Sequence, residues 1–249
     1  MSQPREQVKH SPATAEMRRA VAVLSLAALG AAVTLGGGVA ALVGWAVYAA
    51  IVDRAVVRAK LPRFGGANQV TLLRGLLVAL MIPSLLAPDR QPWSTVILGM
   101  VALALDGIDG PIARRTGMAS PFGARFDMET DALTVLMLSL LVAAEGRVGP
   151  WVLASGALRY LYVAAGWIWP WLARPVPPSV ARQLVCVLQI AGLLAALLPI
   201  LAPPWPSAIA AAALALLIWS FGRDVIGLMR DKGMAESPAA PYLPDRGGV

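Results

Sequence analysis

The chain has 249 residues, 58% of them hydrophobic and 14% charged, with a formal net charge of +7. A soluble domain carries about 25% charged residues, so this composition excludes an ordinary soluble protein. The apolar runs are long rather than alternating, which excludes a barrel and points to an all-α integral membrane protein. The basic excess does not indicate nucleic acid, because Lys and Arg fall mostly in links and tails, where they suit cytoplasmic helix ends and anionic membrane lipid. Cys186 is single and lies inside an apolar run, so no disulfide framework or thiolate metal site is expected. His10 is the only histidine and lies in the polar N-terminal stretch, which excludes histidine-based catalysis.

In chain order, residues 1–19 read as a disordered cytoplasmic tail. Residues 20–52 form one apolar segment interrupted by Gly36, Gly37 and Gly38. A single helix of that length would measure about 50 Å, more than a bilayer core needs, whereas two helices would each be short. Arg18 and Arg19 precede the segment and Arg54, Arg58, Lys60 and Arg63 follow it. Basic residues on both sides suit a hairpin with both ends inside, and a long tilted helix is the alternative. No signal peptide is expected, since the apolar run is too long and shows no clear cleavage pattern. Residues 53–66 read as a basic juxtamembrane linker or a short interfacial helix. Six apolar segments follow, at about 68–87, 93–112, 127–145, 150–170, 181–202 and 206–228, giving a six-transmembrane-helix core over 67–228. Residues 229–249 read as a polar tail.

The links at 111–126 and 171–182 carry Arg114, Arg115, Arg125, Arg174 and Arg182, which makes them cytoplasmic. The other links read Gln91-Pro92-Trp93, Gly149-Pro150-Trp151 and Pro204-Trp205, with proline at a helix start and tryptophan at the interface. Both arguments expect the chemistry to face the cytoplasm from a multi-pass cell membrane protein.

That chemistry is concentrated between Asp106 and Asp131. Asp106 and Asp109 are three apart, Asp127 and Asp131 four apart, so on helices each pair shares one face. Carboxylates bordering apolar runs are costly and mark function by default, and two such pairs suit one or two divalent cations. The structural alternative is that they cap helices or pair with Arg114, Arg115 and Arg125. Gly110, Ala113 and Gly123 allow either close helix packing or a nucleotide lying against backbone. Pro111 should weaken or kink its helix. Asn68, Thr71 and Arg74 lie on one broad side of a helix that Asn68 could cap. Arg159 lies near the middle of its segment and should face an aqueous cavity or an acid. Arg182 is either a boundary charge or part of a pocket.

The pattern D-x2-D-G-x2-A-R-x8-G-x3-D-x3-D, met here at Asp106, Asp109, Gly110, Ala113, Arg114, Gly123, Asp127 and Asp131, resembles the signature of the class I CDP-alcohol phosphotransferase (CDP-alcohol phosphatidyltransferase) family. Asn68-x2-Thr71-x2-Arg74 resembles a further pattern of that family. The resemblance implies that Asp106, Asp109, Asp127 and Asp131 hold Mg2+ or Mn2+, as two ions, and that Asp131 is also the general base. Asn68, Thr71, Arg74, Gly110, Ala113, Arg114 and Gly123 would line the nucleotide and phosphate site, and Arg159 and Arg182 an acceptor pocket. The implied reaction belongs to phospholipid biosynthesis: CDP-diacylglycerol gives its phosphatidyl group to a small alcohol and CMP leaves. Arg159 and Arg182 suit a phosphorylated acceptor; glycerol 3-phosphate is the favoured one, with an inositol phosphate, serine or another small alcohol as alternatives. A homodimer is implied as well. A transporter would need charges near the midplane on several helices, and a non-catalytic scaffold would be expected to have lost part of the aspartate set.

Overall fold

The computed structural model describes residues 11–34, 38–87, 92–174, 176 and 179–236, and among these it is all helical. The helices are α1 (Pro12–Thr34), α2 (Gly38–Ala59), α3 (Gly65–Leu86), α4 (Pro92–Arg115), α5 (Pro121–Ala144), α6 (Leu153–Ile168), α7 (Val180–Leu197) and α8 (Trp205–Glu236). Short 3-10 turns at Pro150–Val152 and Pro170–Ala173 flank α6. Many large apolar side chains point outward, Val23, Trp167 and Val180 among them. Soluble proteins rarely expose so much apolar surface, whereas lipid covers it without cost.

The N-terminal apolar segment is a hairpin. Trp45 Nε1 donates to Ser25 Oγ at 2.8 Å, and Arg18 pairs with Asp53 at 2.8 Å, so α1 and α2 run antiparallel. Two helices fit because each extends beyond the apolar run into polar sequence: α1 starts at Pro12 and α2 ends at Ala59. Residues 12–19 are therefore helical rather than a disordered tail, and the first half of the expected 53–66 linker is the last turns of α2. Ser11 helps start α1, its Oγ accepting from Thr14 N at 3.3 Å. At the other end α8 continues past the expected boundary at 228 to Glu236. The expectations for residues 1–10 and 237–249 lie outside the described residues.

The six expected core segments are α3 to α8. Among the described residues Gly38–Ala59, Gly65–Leu86, Val180–Leu197 and Trp205–Arg230 are long and apolar enough to cross a membrane, and Trp93–Ile108 is a shorter apolar helix. The last turns of α4 and the first turns of α5 carry the charged motif, which shortens their apolar parts. α4 continues through residue 111 to Arg115, and α5 begins at Pro121, so the link between them is shorter than the expected 111–126. Ser120 caps α5, its hydroxyl accepting from Gly123 N at 3.0 Å with Pro121 in the first turn.

α3 and α5 are the central helices: α3 packs on α1, α2, α4 and α5, and α5 also on α6 and α7. One core joins Met81, Leu138, Leu141, Ile190, Leu193 and Leu197 across α3, α5 and α7. A second joins Met17, Trp45, Val56, Phe64, Leu72 and Leu76, docking the hairpin on α3. Far from the motif, the Arg147 guanidinium donates to the carbonyls of Leu198, at 2.7 Å, and Leu201, just past the end of α7. Antiparallel alternation then brings the starts of α3, α5 and α7 and the ends of α4, α6 and α8 to one end of the bundle.

Candidate active site

At that end Arg74 is the centre of a charge cluster. One guanidinium nitrogen, Nη2, lies 2.8 Å from Asp106 Oδ1 and also pairs with Asp131 Oδ1, while Nη1 lies 2.6 Å from Asp127 Oδ1. Arg74 is 1% exposed, while the side chains of Asp106, Asp127 and Asp131 are 17%, 38% and 18% exposed. A buried cation is thus held by carboxylates that keep a face toward the outside. Three helices contribute, α3 the arginine, α4 Asp106 and α5 the pair Asp127 and Asp131, and each geometry depends on the helical spacing read from the sequence.

A carboxylate oxygen from each of Asp106, Asp127 and Asp131 falls in one group within 4.8 Å. An all-oxygen, anionic donor set of this span fits a hard divalent cation such as Mg2+ or Mn2+. One guanidinium balances one of the three carboxylates and leaves two formal negative charges among the described residues. Burial makes such an excess costly unless a further cation binds.

Around the cluster, Thr71 is buried one turn before Arg74 and donates to Ala67 O at 3.2 Å. Asn68 Nδ2 donates to Phe64 O at 2.5 Å. A Cβ placed on Gly123 would lie 3.0 Å from Asn68 Oδ1 and 3.3 Å from Ser120 Oγ, so the start of α5 sits against α3 there, and close packing is a sufficient reason for that glycine. Gly110 lies partly buried in the last turns of α4. The side chains of Asp109, Ala113 and Arg114 lie outside the described residues.

The two arginines expected in an acceptor pocket are not in the cluster. Arg159 Nη2 pairs with Glu129 Oε1 at 2.6 Å, the acid that its position in a membrane segment called for. Arg182 Nε pairs with Asp224 Oδ2 of α8 at 3.1 Å. Arg182 is nevertheless close by along α7, because Cys186, one turn later, puts Sγ 3.7 Å from Asp131 Oδ2. Sequence reasoning missed Glu129, Asp224 and the nearness of Cys186. An acid inside the apolar run 206–228 was the available signal for Asp224; nothing marked Cys186.

A model of the CDP-alcohol phosphatidyltransferase family matches residues 65–219, most of the stretch read from the motif as 67–228. Cholinephosphotransferase 1 of Xenopus laevis is 32% identical over 100 residues, 36% of this chain and 25% of that protein. Cholinephosphotransferase 1 of Homo sapiens is 32% identical over 99 residues, 36% of this chain and 24% of that protein. An uncharacterized CDP-alcohol phosphatidyltransferase class-I family protein 2 of Dictyostelium discoideum is 45% identical over 65 residues, 26% of this chain and 16% of that protein. The matched stretches thus span a quarter or less of these curated relatives. No solved structure matches the chain.

Proposed function

The chain belongs to the CDP-alcohol phosphatidyltransferase family, and from that premise we propose that it transfers a substituted phosphate group from a CDP-linked alcohol to a second alcohol at the membrane surface, releasing CMP. The observation that carries the reading is the convergence of Asp106, Asp127 and Asp131, brought together from two helices at the family's motif. Asp109 joins them by its place in the motif.

A divalent ion bound by these carboxylates supplies charge neutralisation of the pyrophosphate and of the departing CMP. The chain's own groups do the rest. Asp131 accepts the proton of the acceptor hydroxyl, whose oxygen forms a new bond to the phosphorus of the transferred group. The bond from that phosphorus to the CMP oxygen breaks, and CMP carries off the electron pair. Arg74 keeps Asp106, Asp127 and Asp131 in one arrangement before substrate arrives, so that positioning does not have to be made during the reaction. Asn68, Thr71, Gly110, Ala113, Arg114 and Gly123 form the nucleotide side. Arg159 and Arg182 serve the acceptor side, each held by an acid. The basic links support a cytoplasmic orientation of this end in a cell membrane, where soluble nucleotide and acceptor reach it.

For the finer chemistry, CDP-diacylglycerol is the donor and glycerol 3-phosphate the acceptor, supported by arginines suited to phosphate. A second reading takes the small group as the CDP-linked part and a lipid as acceptor, and it is favoured by the cholinephosphotransferase relatives. One assay separates them. Purified protein with Mg2+ is given CDP-diacylglycerol and a panel of small alcohols, or CDP-choline and diacylglycerol, and CMP is measured. Release that requires one pairing names the substrates, and Asp131→Asn should lower it by at least about 1,000-fold. No release with any pairing would sink the proposal.

A further inference from the structure

The α1–α2 hairpin lies outside the family-matched segment 65–219, yet its side chains bond to the elements that carry the site. Glu16 Oε2 accepts from Phe64 N at 3.0 Å and Gly65 N at 3.3 Å, closing the start of the helix that holds Arg74. Tyr48 of α2 reaches further. Its hydroxyl oxygen lies 3.0 Å from Thr130 Oγ1. Thr130 Oγ1 donates its single proton to Phe126 O at 2.9 Å, so Tyr48 is the donor in the tyrosine–threonine bond. Thr130 is buried and stands between Asp127 and Asp131 on α5.

The ring of Tyr48 is fixed as well. It stacks on Phe126 with centroids 6.4 Å apart. It also presses on Gly75, the residue after Arg74, so closely that a Cβ there would collide with the ring. Tyr48 therefore touches α5 within the turn that carries two site carboxylates and α3 beside the arginine that binds them. Rotation of α5 about its axis, or its sliding along α3, would move Asp127 and Asp131 together, and the hydroxyl bond to Thr130 resists both.

We propose that Tyr48, from a hairpin outside the family-matched segment, is a positioning residue for the carboxylate site: its hydroxyl fixes the α5 turn between Asp127 and Asp131, and its ring fixes the α3 turn that carries Arg74. The inference rests on the reading of that site as a divalent-cation site. A tyrosine that only fills space makes a different prediction, because phenylalanine fills the same space.

The test is Mn2+ binding to the full-length chain in detergent, read from the electron paramagnetic resonance of the free ion, for the wild type and Tyr48→Phe. Partners that orient metal-binding side chains change affinity roughly 10- to 100-fold when removed. Tyr48→Phe is expected to weaken Mn2+ binding about tenfold while the ring and its contacts stay. Adding Tyr48→Phe to Thr130→Val should weaken binding no further than Thr130→Val alone, since both remove one bond. Ser25→Ala, which removes the bond from Trp45 inside the hairpin and keeps both rings in place, should leave the Kd at the wild-type value. A wild-type Kd in Tyr48→Phe overturns the inference and leaves the cation site standing. No Mn2+ binding by the wild type overturns the cation site, and the inference with it.

Discussion

Two sets of buried or half-buried charges sit at one end of the bundle, and they are balanced differently. In the outer set acids do not outnumber bases: Arg159 pairs with Glu129, and Arg182 and Arg223 share Asp224 at 3.1 and 3.9 Å. In the inner set three carboxylates share Arg74. Removing charges from water costs several kcal/mol per ion, and attraction offsets this only when the charges match. The outer set therefore carries no excess of acid. Among the described residues the inner set has more acid than base, and it is the set carried by the family motif. Under the proposed function the acid-rich cluster is the side that takes the cation, while the outer pairs hold helices together or serve the acceptor.

The sharpest way to break this comparison is Arg74→Gln. Removing one partner of a buried ion pair costs about 3–5 kcal/mol, which in a chain of this size lowers the unfolding midpoint by on the order of 10 °C. That loss is expected in EDTA. With millimolar Mg2+ at least half of it should return, because a divalent ion supplies the missing charge. The same drop with and without Mg2+ would make Arg74 a packing residue and remove the argument from charge. Arg182→Ala should show no such dependence on Mg2+.

For Arg182 the expected effect is smaller and lies in kinetics. If the outer set serves the acceptor, Arg182→Ala loses a charge-assisted hydrogen bond of about 1.5–3 kcal/mol. The acceptor KM should then rise roughly tenfold or more with kcat little changed. Asp224→Asn, which frees the guanidinium, should move KM far less. An unchanged acceptor KM in Arg182→Ala and in Arg159→Ala would reduce the outer set to helix-holding ion pairs and undo the lean toward a phosphorylated acceptor.

The two sets also differ in how far the sequence discloses them. Asp106, Asp127 and Asp131 were legible because helical spacing puts each on a predictable face and the motif fixes the distance between the helices' charged ends. The sequence put Arg74 on the nucleotide and phosphate side, and the structure adds that its guanidinium holds the carboxylates. The pairings Arg159–Glu129 and Arg182–Asp224 join α6 to α5 and α7 to α8, and no local spacing encodes which helices lie side by side. Tyr48 was out of reach for the same reason: its role comes from a hairpin folding back on α3 and α5. The helix ends at Pro12, Ala59 and Glu236 were misjudged because apolar runs mark what lipid covers, while helices continue into charged turns that need only their own backbone bonds.

A third ion pair provides the lower end of the scale. Arg18 and Asp53 meet through a two-point fork, Nε to Oδ1 at 2.8 Å and Nη2 to Oδ2 at 3.3 Å, near the open end of the α1–α2 hairpin. Their side chains are 50% and 32% exposed, so both charges keep part of their water, and the pair gains little from meeting. Such pairs contribute about 0.2–1 kcal/mol. The hairpin itself is held by buried Met17, Ala28, Trp45 and Val56, whose contacts do not need the fork. Arg18→Ala should therefore lower the unfolding midpoint by at most about 4 °C, less at high salt, and leave Mn2+ affinity unchanged. A loss as large as that of Arg74→Gln would mean that exposure and charge balance do not rank these pairs, and the contrast between inner and outer sets would lose its physical basis.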